Sequence, residues 1–250
     1  MTAEKYSAVM ALQRAHCSVR KYRDEPIDEA LLTSLLKSAQ CAASTSFNQG
    51  YSIVRVTDPD AREKIAAAAS GQQWVIDAPE FFVICADLLR SDHACRMNDL
   101  GEIEGCTEHF ISAISDTAIF AQNLALAAES VGLGGVFIGG IRNDPRLIAD
   151  TLALPRLVFP AFGFCLGWPA EPCETKPRLP LEAILHVDRY DAGDIDEQLR
   201  RYDETIADYY RSRSENRKQS TWTEQVAGAL QKKTREHMLD FMRGQGFLLK

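Results

Sequence analysis

The sequence predicts an α+β fold in which a sheet lies between layers of helices. Three observations lead to this prediction: helix and strand patterns are mixed along the chain, hairpin signals are few, and the C-terminal part reads as helix. Such a mixture favours helices packed on a mostly antiparallel sheet. With 250 residues the chain can bury a full core, and one domain is favoured over two.

Apolar periodicity predicts the elements of the first half of the chain. Asp28 is a candidate N-cap for a helix that carries leucines at helical spacing. A small polar loop follows at 44–50. A continuous apolar run at 81–85 predicts a buried strand, whereas the strand before it alternates only in part. The elements predicted for this half are helices at about 5–15, 28–39 and 59–69, and strands at 51–57 and 81–85.

The second half opens with a polar stretch at 90–105, which we interpret as a loop and a candidate lid. The segment from about Glu108 to Ser130 is strongly helical and apolar around most of its circumference. It is therefore expected to lie in a core or a subunit interface. Asp144-Pro145 has the N-cap and first-turn pattern of another helix. The remaining predictions are strands at 136–140 and 161–166 and long helices at 196–213 and 222–242.

Composition and charge exclude several classes of function. The net charge is −7 and the pI is about 5.3, which argues against an unspecific nucleic-acid binder that needs a basic face. No secretory signal is visible at the start, and no stretch approaches the ~20 apolar residues of a membrane span. We therefore expect a cytoplasmic protein with neither nucleic acid nor membrane as a partner.

The seven cysteines are odd in number, irregularly spaced and without a C-x-x-C motif. A disulfide framework is not expected, and a reducing compartment fits this pattern. Cys85 and Cys165 lie in apolar runs and are expected in the core. Two histidines and two cysteines could in principle form a zinc site. Two unrelated surface pairs are favoured instead, because the spacing is not that of a standard zinc knuckle. The four residues considered are His93, Cys95, Cys106 and His109.

Common nucleotide and hydrolase motifs are absent from the sequence. The glycines at 132–135 follow a helix and precede a strand, which is the reverse of a dinucleotide fingerprint, so a helix stop and tight turn is favoured. No P-loop and no G-x-S-x-G nucleophile elbow occurs.

Two cationic groups and one hydroxyl-rich turn remain as candidate site residues. Pro177 pushes Lys176 toward an extended conformation, in which Lys176 and Arg178 point the same way and can close on one anion. A second cationic group lies at 16–20, and hydroxyl side chains cluster at 44–46. Each group alone is usually solvated surface or local capping. Their combination suits a phosphate joined to an electron-rich ring, as in flavin mononucleotide (FMN).

The chain resembles the nitroreductase family, in particular its oxygen-insensitive NADPH nitroreductases and NADPH-flavin oxidoreductases. The resemblance covers nearly all 250 residues. The stretches that carry it are HCSVR at 16–20, STSF at 44–47, SGQQ at 70–73, DTAIFAQNLALAAESVGLGGVFIGGIRN at 116–143, FGFCLGWP at 162–169, KPRLP at 176–180 and YDETIADYY at 202–210.

The resemblance implies a nitroreductase-like fold and an intertwined homodimer with FMN bound noncovalently at the interface. It implies a flavin-binding core over residues 1–185 and a helical extension over 186–250 that packs on the core and on the partner subunit. The implied activity is two-electron, ping-pong hydride transfer from NADPH to small-molecule acceptors such as nitroaromatics, quinones or free flavin.

The resemblance also implies roles by position. Phosphate and ribityl would be held by His16, Ser18, Lys176 and Arg178. Arg20 would lie by flavin N1 and O2 and act as the catalytic residue. The ring would be contacted by Gln72 at its edge and by Phe137, Ile138, Gly139 and Gly140 at its back. From the partner subunit would come Ser44, Thr45, Ser46 and Phe47. Substrate contacts would come from Glu108, and the 2′-phosphate of NADPH would be recognised by Arg213 and Lys218.

Two positions depart from the family pattern. Cys17, within the cofactor-binding segment, stands where close relatives have Arg, which removes one electrostatic contact. Phe137 replaces a common Tyr and drops a hydroxyl. Two other classes of function were weighed: an FMN-binding carrier or sensor with little turnover, and a structural dimer without a cofactor. The second is disfavoured because paired cations repel one another without an anion. The sequence does not name the physiological electron acceptor.

Overall fold

A computed structural model describes residues 7–213, 219–232 and 235–250 of the chain. The described residues form two compact units. One comprises residues within Met1–Cys173 and Arg235–Lys250, and the other comprises residues within Glu174–Thr234.

The first unit contains a four-stranded sheet. Its order is β1-β2-β4-β3, and each neighbouring pair is antiparallel. The predicted strands are confirmed, although the last is longer than expected and the third ends at Ile138, where a 3-10 turn follows. The strands are β1 (Tyr51–Arg55), β2 (Glu80–Asp87), β3 (Gly134–Ile138) and β4 (Val158–Gly167).

Helices cover both faces of this sheet. The predicted cap is confirmed, because the Asp28 carboxylate accepts hydrogen bonds from Ala30 N and Leu31 N. Asp144 caps the helix that begins at Pro145 in the same way, through Leu147 N. The helices of this unit are α1 (Ala8–Arg14), α2 (Glu29–Ala39), α3 (Pro59–Ala68), α4 (Trp74–Asp77), α5 (Leu89–Met97), α6 (Thr107–Glu129), α7 (Pro145–Thr151) and, after the second unit, α10 (Met238–Gly244).

The apolar run of β2 is buried on both faces, as the sequence predicts. Successive side chains of a strand point to opposite faces. Phe82 and Ile84 therefore pack in one cluster with Phe120 and Leu124 of α6. Phe81, Val83 and Cys85 pack on the other face, in a cluster that includes residues of α3 and α7. Strand β2 therefore contributes side chains to the hydrophobic core on each face of the sheet.

Helix α6 matches its predicted span closely. It is long and apolar enough, by length and composition, to cross a membrane, which the sequence interpretation had not anticipated. Phe120 and Leu124 are fully buried against the sheet, as in the core helix of a globular fold. Ile111 and Ile119 are about half exposed on its other side, so α6 also presents an apolar surface.

Two secondary-structure predictions are wrong. The polar stretch at 90–105 is not a simple loop, because α5 occupies much of it. Asp87 caps this helix through Leu89 N at 2.8 Å, and the buried Asp92 joins Arg96 to the backbone N of Ile103. The bond from Asp92 to Ile103 joins residues eleven positions apart, and a contact of that kind leaves no periodic pattern in the sequence. The helix predicted at 222–242 is interrupted, and Arg235 has a positive φ of 60°, which ordinary residues avoid in a helix.

The second unit consists mainly of α8 (Ile195–Ser212) and α9 (Trp222–Leu230). Tyr202, Ile206 and Tyr210 form the buried stripe of α8, and Trp222 packs against it. Thr221 and Glu224 form a capping box at the start of α9.

Candidate functional site

Just after the cationic segment at 16–20, the backbone forms a short hydrogen-bonded ladder with the segment that follows β4. Arg23 N donates to Trp168 O at 2.9 Å, and Ala170 N donates to Lys21 O at 3.0 Å. At the far end of this ladder a disulfide joins Cys17 to Cys173, with the Cα atoms 6.0 Å apart. The sequence did not predict this bond. Since the Cys17 sulfur is bonded, its backbone is what remains for contact with a cofactor.

The opposite side of the same segment lies against β3. Val19 N donates to Gly135 O at 3.0 Å. A Cβ on Gly134 would lie 2.5 Å from Val19, so a glycine is required for this close approach. The Tyr22 hydroxyl donates to Val19 O at 2.7 Å, and burial raises the pKa of Tyr22 well above its ordinary value, which keeps that donor protonated. The segment is therefore fixed on both sides.

His16 is held by a residue that the sequence interpretation missed. Its Nδ1 lies 2.5 Å from Oε1 of Glu129, the last residue of α6, and both side chains are largely buried. A carboxylate on Nδ1 fixes the orientation of the ring and leaves Nε2 for contact with a ligand. Ser18, two residues on, is half-buried.

Arg20, the last residue of this segment, places its charged group at the surface. Its guanidinium lies 5.7 Å from the centre of the Trp74 ring, and NH1 donates to Ser18 O at 3.4 Å. Trp74 in turn donates to the Gln72 side chain at 3.2 Å. The structure thus brings both Arg20 and Gln72 next to one tryptophan. Within the part of the chain that is described, no carboxylate forms an ion pair with Arg20, so its charge is available for a ligand.

The end of β3 supplies a flat, partly apolar wall. Phe137 is exposed and packs against Phe164 with the ring centres 4.7 Å apart. The side chain of Ile138 lies in the core, so its backbone is what it can offer. Gly139 and Gly140 follow, and Arg235 donates to Gly139 O at 2.9 Å, which fixes this turn. Arg235 had no sequence signal for this role.

The hydroxyl-rich turn is held by a different part of α6. The buried carboxylate of Asp116 accepts hydrogen bonds from Thr45 N at 2.7 Å and from Gly50 N at 3.0 Å. Ser46 and Phe47 have φ values of 47° and 59°, a conformation that costs energy outside glycine. Phe47 is 81% exposed although it is apolar. A charged residue in an apolar helix was the signal that could have revealed Asp116.

Within one chain the turn and the cationic segment are far apart. Asp116 lies 13 positions before Glu129 on α6, which at 1.5 Å per residue is about 20 Å. Because Asp116 holds the Ser44–Phe47 turn and Glu129 holds His16, the two groups do not meet on one phosphate of the same chain.

The second unit carries the other cations and anchors them with tyrosines of α8. Lys176 Nζ lies 2.9 Å from the Tyr210 hydroxyl and 5.2 Å from its ring centre. The Tyr202 hydroxyl donates to the backbone carbonyl of Pro177 at 2.8 Å. Arg178, by contrast, is exposed. These tyrosines belong to the YDETIADYY stretch. Their contacts show that this stretch supports the Lys176–Pro177 backbone and side chain.

The candidate substrate residues are placed as follows. Arg213 Nε lies 3.0 Å from Glu174 Oε2, in the same unit, and its guanidinium lies 5.6 Å from the Tyr209 ring centre. Glu108 is exposed in the first turn of α6 and accepts a hydrogen bond from Ser112. Lys218 lies outside the described residues.

Among the described residues, no group of three or more His, Cys, Asp or Glu side chains is placed to hold a metal ion. Cys106 and His109 form a pair, with Sγ 3.3 Å from Nδ1.

The donors of the first unit fit the chemistry of FMN. Arg20 offers an uncompensated guanidinium, and Ser18 and His16 offer hydrogen-bonding groups for a phosphate or a sugar chain. The glycines at the end of β3 let backbone groups approach a ring closely, and Phe137 adds an apolar surface beside them. The fold and this donor set together define a flavin-dependent oxidoreductase site.

The chain belongs to the nitroreductase family. The profile of the nitroreductase family matches residues 14–168, and the profile of the nitroreductase family C-terminal domain matches residues 176–250. The predicted family and fold class are thereby confirmed.

Three known proteins illustrate the similarity. An oxygen-insensitive NADPH nitroreductase of Salmonella typhimurium is 40% identical over 96% of this chain and 98% of its own length. An FMN reductase (NADPH) of Bacillus subtilis is 36% identical over 93% of this chain and 95% of its own length. The solved structure of the NADPH:FMN oxidoreductase from Vibrio harveyi, complexed with NAD+, superposes with a TM-score of 0.87 at 35% identity and covers 97% of this chain and 99% of that one.

Proposed function

We propose that this chain is an FMN-dependent NADPH oxidoreductase that reduces nitroaromatics, quinones or free flavin. The observation that carries the proposal is the exposed guanidinium of Arg20, which lies 5.7 Å from the Trp74 ring centre on a segment that is hydrogen-bonded to β3 through Val19 and Gly135. The names of the relatives, which join NADPH with FMN or with nitro compounds, support it.

Bound FMN would supply the redox chemistry, which is hydride transfer from NADPH and delivery of two electrons to the acceptor. The residues of this chain would bind and tune that group. Arg20 would stabilise the negative charge of the reduced ring at its pyrimidine edge. Ser18 and His16, with Lys176 and Arg178 from the second unit, would hold the phosphate and ribityl chain. Gln72, next to Trp74, would contact the ring edge.

Arg213 is the proposed reader of the 2′-phosphate of NADPH, with Lys218 as its partner in that role. Its present partner is the exposed carboxylate of Glu174, and a phosphate that carries more charge can replace it. Glu108, exposed at the start of α6, would face the acceptor.

We further propose a homodimer in which the Ser44–Phe47 turn of one copy completes the flavin site of the other. The separation of about 20 Å along α6 supports this arrangement, as does the exposed Phe47. The outer edge of β1 borders a cavity of about 1150 Å³ that is lined by apolar and polar side chains. In the second unit a run of apolar side chains lies exposed at Leu181, Ile184, Leu185 and Val187. Both surfaces would be covered in a dimer.

We keep two further proposals from the sequence. Residues 1–185 would form the flavin-binding part and residues 186–250 the extension that packs on it and on the partner subunit. The enzyme would work in the cytoplasm, where NADPH is the reductant and where five free cysteines are compatible with a reducing environment.

A spectrum followed by a turnover assay tests the proposed function. Purified protein mixed with FMN and separated from free flavin should be yellow and should bleach when NADPH is added without oxygen. Addition of a nitrofuran or a quinone should restore the colour and give steady NADPH oxidation. A protein that stays colourless contradicts the proposal. A protein that binds FMN yet oxidises NADPH no faster than free FMN does supports the carrier or sensor instead.

A further inference from the structure

We propose that Cys17 and Cys173 form a reversible redox-modification site that sets how tightly this chain holds FMN. The bonded pair holds the cofactor firmly, and the reduced pair holds it loosely. The proposal rests on the proposed function, because FMN is the ligand whose affinity changes.

The position of the cross-link carries the inference. The two cysteines are 156 positions apart in sequence, and they close the end of the ladder that runs between segments 17–23 and 168–173. Cys17 stands between His16 and Ser18, both proposed phosphate-side residues. Cys173 Sγ also lies 3.6 Å from the backbone carbonyl of Ser18. Three positions after Cys173 the chain reaches Lys176.

The bond has a physical consequence for the ligand site. A covalent tie next to His16 and Ser18 reduces the ordering that FMN binding must impose on this segment. When the bond is opened, Val19 keeps its bond to Gly135 and His16 keeps Glu129. The segment therefore loosens without unfolding.

A reductant can reach the bond. Cys173 is exposed and Cys17 is half-buried, so Cys173 Sγ is the accessible sulfur. A thiolate of a small or protein-borne dithiol attacks Cys173 Sγ, and Cys17 leaves as a thiolate that takes up a proton. The second thiol of the reductant then attacks the mixed disulfide, releases Cys173 as a thiol and leaves as a disulfide. Two electrons and two protons are transferred, and disulfide exchange with an oxidised dithiol reverses the step.

The other five cysteines are not bonded to one another. Cys85 and Cys165 are buried in the sheet, and burial raises the pKa of Cys85 to about 12 and also raises the pKa of Cys165. Cys41 is exposed and free, which makes it the matched control. In a reducing compartment a single disulfide of this kind is usually transient or redox-sensing.

FMN affinity in the two redox states tests the proposal. Quenching of flavin fluorescence should give a dissociation constant roughly fivefold higher after treatment with dithiothreitol than after mild oxidation. Cys17→Ser and Cys173→Ser should match the reduced protein and ignore dithiothreitol, whereas Cys41→Ser should respond like the wild type. Cys17→Arg, which removes the disulfide and adds a cation next to His16 and Ser18, should bind FMN with an affinity that dithiothreitol does not change.

Counting thiols gives a second readout. Alkylation of the oxidised protein under denaturing conditions should modify five cysteines, and prior reduction should raise the number to seven. Seven modified cysteines after oxidation, or equal FMN affinity in both states, overturns this inference and leaves the proposed function standing. A protein that binds no FMN in either state overturns the proposed function itself.

Discussion

Replacement of Asp116 by Ala is expected to release the Ser44–Phe47 turn and to lower stability substantially. The carboxylate is 1% exposed and accepts one backbone N–H from Thr45 and one from Gly50. Hydrogen bonds to a charged group contribute about 1.5–3 kcal/mol each. Thr45 is exposed and can turn to water, whereas Gly50 is buried, and Asp116 is the acceptor that its N–H has among the described residues.

The net loss follows from these contributions. Alanine regains up to about 0.6 kcal/mol of helix propensity relative to aspartate. The buried Gly50 amide counts in full at about 1.5–3 kcal/mol, and the exposed Thr45 amide adds at most about 1 kcal/mol because water replaces its acceptor. The expected loss in the free energy of unfolding is therefore about 1–3 kcal/mol, and at about 2–4 °C per kcal/mol the melting temperature should fall by roughly 2–12 °C. Asp116→Asn keeps one acceptor oxygen but turns an amide N–H toward a backbone donor, so an intermediate loss is expected.

Urea and thermal unfolding, followed by circular dichroism without added FMN, measure this change. Glu63→Ala is the matched control, because Glu63 is an exposed helical carboxylate of α3 whose loss should stay within about 0.5 kcal/mol. If Asp116→Ala costs less than about 1 kcal/mol, the two hydrogen bonds do not support the turn as described. Since the turn is the proposed contribution of the partner subunit, the same variant should also bind FMN more weakly.

Three further outcomes are expected. Arg20→Ala should slow flavin reduction by NADPH at least tenfold while Arg20→Lys retains part of the rate, measured by stopped-flow absorbance at saturating NADPH; equal rates in all three proteins would remove the role of Arg20. Arg213→Ala should raise the KM for NADPH much more than that for NADH, whereas Arg211→Ala, on the exposed surface of α8, should change neither; a parallel rise with both nucleotides would refute recognition of the 2′-phosphate. Glu129→Gln should weaken FMN binding several-fold with little change in kcat at saturating FMN, because His16 loses its fixed orientation; a loss of kcat without a change in affinity would contradict this reading.

Local signals in the sequence were sufficient for much of the fold. The apolar run of β2 predicts a strand buried on both faces, and Asp28 and Asp144 predict helix starts that the structure contains. These features depend on neighbouring residues, which the sequence displays directly. The cationic segments and the hydroxyl-rich turn were recognisable as stretches shared with the nitroreductase family.

Long-range pairings could not be predicted from local patterns. His16 and Glu129 are 113 positions apart, and Cys17 and Cys173 are 156 positions apart, so spacing gives no indication that either pair meets. Helix α5 depends on the buried Asp92, which binds a backbone N–H eleven residues later. The tail helix is interrupted near Arg235, whose guanidinium is engaged with Gly139 and Asn143. In each case a tertiary contact outweighs a propensity.

Helix α6 separates two functions: its C-terminal end orients His16, and its middle holds the Ser44–Phe47 turn, which in the proposed dimer would serve the other copy. Loss of these two functions in one subunit should therefore impair different active sites of the proposed dimer. When a subunit that lacks Arg20 is paired with one that lacks Asp116, one of the two sites inherits both defects and the other inherits neither. Co-expression of the two impaired variants should consequently give up to half of the wild-type activity per mixed dimer, a form of complementation that a monomer could not display.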